Sequence, residues 1–272
     1  MRGRGAWPGL VAILVSGVLF VVPFVFIALT AFKTTQEAAL RDFSLPTEWP
    51  IVENFIAVLE TRDYMLIIAF INSTVLTVAS VTLLVVLGAM AAFVLARRAS
   101  RWNRLVNFLV LSGLIVPPAV VPTIWVLDAI GLFRTMSGLI LIEVAFGLSF
   151  TVLLFRAFVA TIPRELDEAA ILDGASPTRL FFRVIFPLLR SVAVTVIVVQ
   201  SVVIFNDFQH PLYFLPGQPT VQLTLYNFQS QFNLQYNLLF MNILLITIPP
   251  LIMFLFFNRK IVAGLSSGAV KG

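Results

Sequence analysis

Side chains equipped for chemistry are scarce in this sequence, and unevenly spread. It has no cysteine and one histidine, His210, which rules out disulfides, thiol nucleophiles, cysteine-held metals and any His-rich metal centre. Neither an HExxH pair nor a GxxxxGK[ST] phosphate loop occurs, so zinc-protease chemistry and a nucleotide site in this chain are excluded. One histidine gives no convincing Ser/His/Asp set either. What remains is Glu143, an acid inside an apolar run, and a dense charged stretch, IPRELDEAAILDGASPTRLFFRVIFPLL, from Ile162 to Leu189. Long apolar runs flank that stretch on both sides, so its charges belong outside lipid, where they can meet a partner.

Two short helices joined at a corner would position these groups. Pro163 suits a first helical turn, and Glu165, Asp167 and Glu168 put negative charge near that N-terminus. Gly174 supplies a left-handed C′ residue, which bounds the first helix at about Arg164–Asp173. Ser176 followed by Pro177 reads as an N-cap with Pro at N1. The second helix then carries Phe181, Phe182, Val184 and Ile185 to a stop at Pro187. Leu166, Ala169, Ala170 and Asp173 share one face of the first helix, and its alanines keep that face slim enough to enter a groove.

These residues resemble a known pattern. Glu168, Ala169 and Ala170, then Gly174 after three residues, then Val184, Phe186 and Pro187 after nine more, are similar to the EAA loop of the membrane subunits of binding-protein-dependent ABC importers. Val184 stands for the pattern's Ile and Phe186 for its Leu, with the spacing kept. An interfacial helix pair that merely joins two spans would share the amphipathicity but would not require these offsets.

Composition sets the class independently. The chain is 60% hydrophobic and 11% charged, with a mean hydropathy of +1.01, whereas soluble domains carry roughly a quarter charged residues. An all-α polytopic membrane protein is expected. After a basic arm, Met1 to Pro8, come apolar runs at Gly9–Phe32, Tyr64–Ala96, Leu105–Leu127, Met136–Val159, Leu188–Phe205 and Leu238–Phe257, near the ~20 residues that cross a bilayer. The first run is longer than the apolar core of a cleaved signal peptide and reads as an uncleaved span. Lys33–Asp63, broken by Pro46 and Pro50, reads as an aqueous loop, Asn206–Asn237 as a polar and aromatic one, and Asn258–Gly272 as a tail. One permease domain over residues 1–272 is expected, with no internal repeat.

Orientation follows from the cations. With six spans, 14 of the 18 Lys and Arg residues fall on the side of the termini and of the 162–189 segment, which makes that side cytoplasmic. The formal net charge of +5 is thereby a matter of topology, not of nucleic-acid binding.

The resemblance also extends beyond the EAA loop. Asn72 and Ser73, the Ala91–Arg97 stretch, Asn206 with Asp207, and the ending IVAGLSSGAVKG resemble the carbohydrate branch of these importers, of the maltose permease G-subunit type, over nearly the whole chain. The resemblance implies half of a translocation pathway in the bacterial cytoplasmic membrane, paired with a second permease subunit. It also implies two ATPase subunits that hold ATP and Mg²⁺, and an extracytoplasmic solute-binding protein that delivers a sugar. On this resemblance Glu168, Ala169, Ala170, Asp173, Gly174 and Pro187 couple to an ATPase. Ser267, Gly268, Lys271 and Gly272 belong to a tail that extends between the ATPases, and the loop bearing Tyr213, Phe214, Gln218 and Tyr226 contacts the binding protein.

Other candidates carry two readings each. Glu143 is either a solute contact or an acid satisfied by water or packing. Pro117 and Pro118, with Pro122, break a span and either line a pathway or reflect the frequency of proline in membrane helices. Gln200, Asn72 and Ser73 either hydrogen-bond a sugar or hold helices together. The 206–237 aromatics either meet a partner or form an interfacial belt, and His210 is expected to be an exposed loop residue. A secondary transporter would need an ion relay and commonly inverted repeats, a membrane enzyme would need a catalytic set, and a purely structural subunit would leave the charged helix pair unexplained.

Overall fold

A computed structural model of the chain describes residues 7–98, 100–231 and 235–269. Every regular element among them is helical. The residues group into two compact units, one formed by the chain up to Ala69 with Val221–Pro249, the other by Phe70–Thr220 with the chain from Pro250 onward.

In the first unit, α1 (Trp7–Ala31) precedes a short α2 (Thr35–Ala39). Thr34 and Glu37 form a reciprocal capping box at the α2 N-terminus. Hydrogen bonds from the hydroxyl and amide of Thr47, and from Thr34, hold the Glu37 carboxyl down to about 2. The buried Lys33 ammonium is satisfied by Asp42 Oδ1 at 2.7 Å, Ser44 Oγ at 3.0 Å and the Asp42 carbonyl at 3.0 Å. Asn54 donates to the carbonyls of Ala31 and Lys33, each at 2.9 Å, and accepts from Asn237 at 2.9 Å. One buried amide thus ties together the end of α1, the start of α3 (Ile51–Arg97) and the start of α13 (Tyr236–Ala269). The segment Lys33–Asp63, read from sequence as an aqueous loop, therefore contains α2 and the opening turns of α3. Thr61, Arg62, Asp63 and Tyr64 leave helical geometry, so α3 is broken where the apolar run begins.

The second unit is built around α6 (Met136–Val159), capped by Thr135, whose Oγ1 accepts from the Gly138 amide at 3.0 Å. Packed on it are α4 (Asn103–Ile115), α10 (Arg190–Phe205) and α11 (Gln209–Phe214). The later part of α3 meets it closely: a Cβ added at Gly88 would lie 2.4 Å from Thr151 Cγ2, so only hydrogen fits there. Leu84, Leu139, Phe155, Val159, Ile185 and Val192 are fully buried in the shared apolar core.

Four helical stretches, Gly9–Ala31, Ile51–Arg97, Met136–Val159 and Tyr236–Phe256, are long and apolar enough to cross a membrane. Two further runs are bent pairs. The run read as one span over Leu105–Leu127 is α4 followed by α5 (Val120–Ala129), at 119° to each other. Val116 is extended, as steric pressure from the ring of Pro117 demands, and the ring of Pro118 restricts Pro117 in the same way. Within the run at Leu188–Phe205 the helix is interrupted at Leu189, and the part from Arg190 is bent 77° from the Pro177–Leu188 segment.

Candidate functional site

The EAA-like segment folds as a corner. Helix α7 (Glu165–Leu172) ends in a Schellman motif. The Gly174 amide donates to Ile171 O at 3.0 Å and the Ala175 amide to Ala170 O at 2.9 Å, with Gly174 at φ +76°, the left-handed state expected of the C′ residue. The second helix starts as the sequence implies, with Ser176 Oγ accepting from the Arg179 amide at 3.4 Å and Pro177 at N1. It departs from expectation at Pro187. After α8 (Pro177–Arg179) the chain winds as a π-helix over Leu180–Ile185, and α9 (Phe186–Leu188) carries the proline inside it. The Phe186 amide reaches back to Phe181 O. Proline offers no N–H to the turn before it, and the wider winding accommodates that loss, so the helix stops one residue past Pro187.

Glu168, Ala169, Asp173 and Gly174 are exposed, as are Leu166, Ile171 and the 88%-exposed Leu172, while Ala170 is half-buried against the core. The inward face is pinned by a residue that the sequence offers as a topological charge and as the end of the Ala91–Arg97 stretch, with no contact implied. Arg97, the last residue of α3, places Nε 2.6 Å from Asp167 Oδ2 and donates through Nη2 to the Ile162 carbonyl at 2.8 Å. Nothing in local spacing announces a contact across 70 positions. Elsewhere Arg156 joins α6 to α4, donating to Asn107 Oδ1 at 2.5 Å.

A second constellation lies where α6, α10 and α11 meet. Glu143 is buried, with Oε1 3.2 Å from His210 Nδ1. Asp207 approaches the same nitrogen through Oδ2 at 2.5 Å. Its Oδ1 accepts from the amides of Gln209 at 2.8 Å and His210 at 3.3 Å, which satisfies the free donors at the start of α11. The imidazole stacks on Phe146, with centroids 4.9 Å apart and planes 6° apart. His210 is thus largely enclosed, not the exposed loop residue expected, because the 206–237 segment contains α11 and α12 (Val221–Gln231). Burial opposes charge on His210, but its hydrogen bonds to Asp207 and Glu143 outweigh that and lift the imidazole to about 10. Burial likewise opposes the Asp207 charge, and the bond from His210 reverses the effect, leaving that carboxyl below its usual range.

Gln200, buried on α10, donates to Gly147 O and Thr151 Oγ1, each at 3.3 Å. That is the helix-joining use, although the residue also borders the cavity beside Glu143. Asn72 donates to Pro219 O at 2.8 Å, and Ser73 is buried. Pro117 and Pro118 are exposed at the α4–α5 break. Of the loop candidates, Tyr213, Gln218 and Tyr226 are exposed, whereas Phe214 is buried, with its carbonyl accepting from the Arg134 amide at 3.2 Å. Ser267 and Gly268 lie in the last turns of α13, while Lys271 and Gly272 lie outside the described residues.

These features define an all-helical, multi-pass membrane protein with a capped, outward-facing helix corner between two spans. Among solved structures the fold is shared with a bacterial ABC transporter involved in the import of the acidic polysaccharide alginate, at a TM-score of 0.80 over 95% of this chain and 98% of that one, with 19% identity. The chain belongs to the binding-protein-dependent transport system inner membrane component family, whose model matches residues 84–265. It is 33% identical over 260 residues to a diacetylchitobiose uptake system permease protein of Streptomyces coelicolor, covering 93% of this chain and 85% of that protein. It is 36% identical over 209 residues to a melibiose/raffinose/stachyose import permease protein of Bacillus subtilis, covering 75% and 76%.

Proposed function

We propose that this chain is one permease subunit of an ATP-driven importer that brings a sugar across the bacterial cytoplasmic membrane. Its relatives are named for the uptake of di- and oligosaccharides, and the observation that carries the mechanism is the exposed, Schellman-capped α7 corner. Counting each bent pair as one span gives six candidate crossings, and in this reading the excess of cations near the termini and α7 assigns them to the cytoplasmic side. A second permease subunit completes the pathway. Two ATPase subunits, which bind ATP and Mg²⁺, take the α7–α9 corner of each permease into a cleft, and this chain performs no hydrolysis itself.

The physical step is rigid-body transmission. Closure of the ATPases displaces the corner, and the Arg97 anchor passes the displacement to α3 while the bend at Leu189 passes it to α10. The spans then swing between inward-open and outward-open states. A binding protein supplies the solute on the other face, where Tyr213, Gln218 and Tyr226 offer rings and amides. ATP-dependent uptake by the reconstituted complex tests this reading, since uptake independent of ATP would make the chain a secondary transporter.

A further inference from the structure

The cavity beside Glu143 is larger than helix joining requires. It has a volume of ≈440 Å³ and is bordered by Glu143, Asp207, His210, Gln200, Phe146 and Phe150, among others, within the roughly 300–1,000 Å³ of small-molecule sites. Val203, 57% exposed, stands at its border. Its chemistry is mixed: the carboxylates of Glu143 and Asp207 have lone pairs beyond those given to His210, the Gln200 side chain adds a carbonyl oxygen while its NH₂ is committed to Gly147 and Thr151, and the Phe146 ring with its stacked imidazole makes a flat wall. A pyranose ring presents the complementary set, with hydroxyls on its edge and C–H groups on its faces. We propose that this chain itself holds one neutral sugar ring of the transported solute here, with Glu143, Asp207 and Gln200 binding hydroxyls and Phe146 and Phe150 meeting the ring faces.

This inference rests on the sugar-importer reading and deepens it. The test uses the whole importer in proteoliposomes with its binding protein, supplied in turn with radiolabelled diacetylchitobiose, melibiose, raffinose and trehalose. Sugar taken up per ATP hydrolysed is measured. Val203→Trp fills the cavity from its exposed border, and Glu143→Gln removes one acceptor at constant shape; each should lower that ratio at least tenfold for the transported sugar. Leu141→Trp, at an exposed position on the same helix, should leave it within twofold. A ratio unchanged in both cavity variants, whether or not total activity falls, overturns the subsite while the importer reading stands. Sugar uptake by the wild-type complex that proceeds equally without ATP overturns the importer reading and the subsite with it.

Discussion

The guanidinium of Arg97 lies 2.6 Å from the carboxylate of Asp167, joining the end of the long α3 helix to the first turn of α7. Both side chains are 13% exposed. Removing one partner of a largely buried ion pair strands the other charge, at a cost of about 3 kcal/mol. Arg97→Met is therefore expected to loosen α7 without disturbing the apolar runs, and to reduce ATPase stimulation by solute about tenfold while the protein still inserts. Arg97→Lys should recover only part, since lysine lacks the planar fork that serves both Asp167 and the Ile162 carbonyl. Hydrolysis measured on the assembled complex, with membrane content checked by immunoblot, decides it.

Topology gives a separate expectation. Reporter fusions after Arg101 and in place of the chain end at Gly272 should both signal a cytoplasmic location, and fusions near Pro46 and Gly217 an external one. Opposite signals at Arg101 and Gly272 would rule out an even number of crossings between them.

His210 should leave a trace in alkaline solution. Its folded pKa, near 10, stands above the ordinary histidine value of 6.5, so the stabilisation it contributes is complete below pH 6.5 and disappears as pH rises through about 10. His210→Gln should lower the thermal stability of the purified protein at pH 7 to 8. The difference from wild type should shrink toward zero by pH 11, and a gap of constant size across that range would mean the imidazole charge does not hold α11 against α6.

How much of this was legible depends on whether a feature is set by neighbours in sequence. The four long apolar helices, the Ser176 cap and the left-handed Gly174 are local: hydropathy runs, a hydroxyl before Pro177 and a missing Cβ suffice to state them, whereas the bends in the two other runs are not read from hydropathy. The π-winding through Leu180–Ile185 is not, because Pro187 alone says that a hydrogen bond is lost and not how the chain will absorb it. Glu143 was visible as an intramembrane acid, but its partners Asp207 and His210 lie more than 60 positions away and stood in a stretch without helical periodicity. The Arg97–Asp167 pair was hidden for a related reason. Arg97 has a sufficient explanation as a topological charge, and charge counting is blind to contact.

Coupling of this chain to ATP hydrolysis through the α7–α9 corner, as proposed above, is measured directly by pairing co-purification of the ATPase subunits with solute-stimulated hydrolysis. Gly174 holds φ +76°, and a Cβ there meets nothing within 4 Å. Gly174→Val therefore acts through backbone strain, about 1–2 kcal/mol, and not through a clash within the chain. Glu168→Lys reverses an exposed charge in the first turn of α7, where negative charge is favoured. Both variants should insert normally, retain less than about a tenth of the wild-type ATPase subunits on purification, and lose stimulated hydrolysis in proportion. Wild-type recovery and wild-type hydrolysis in both variants would show that the corner is not the coupling element.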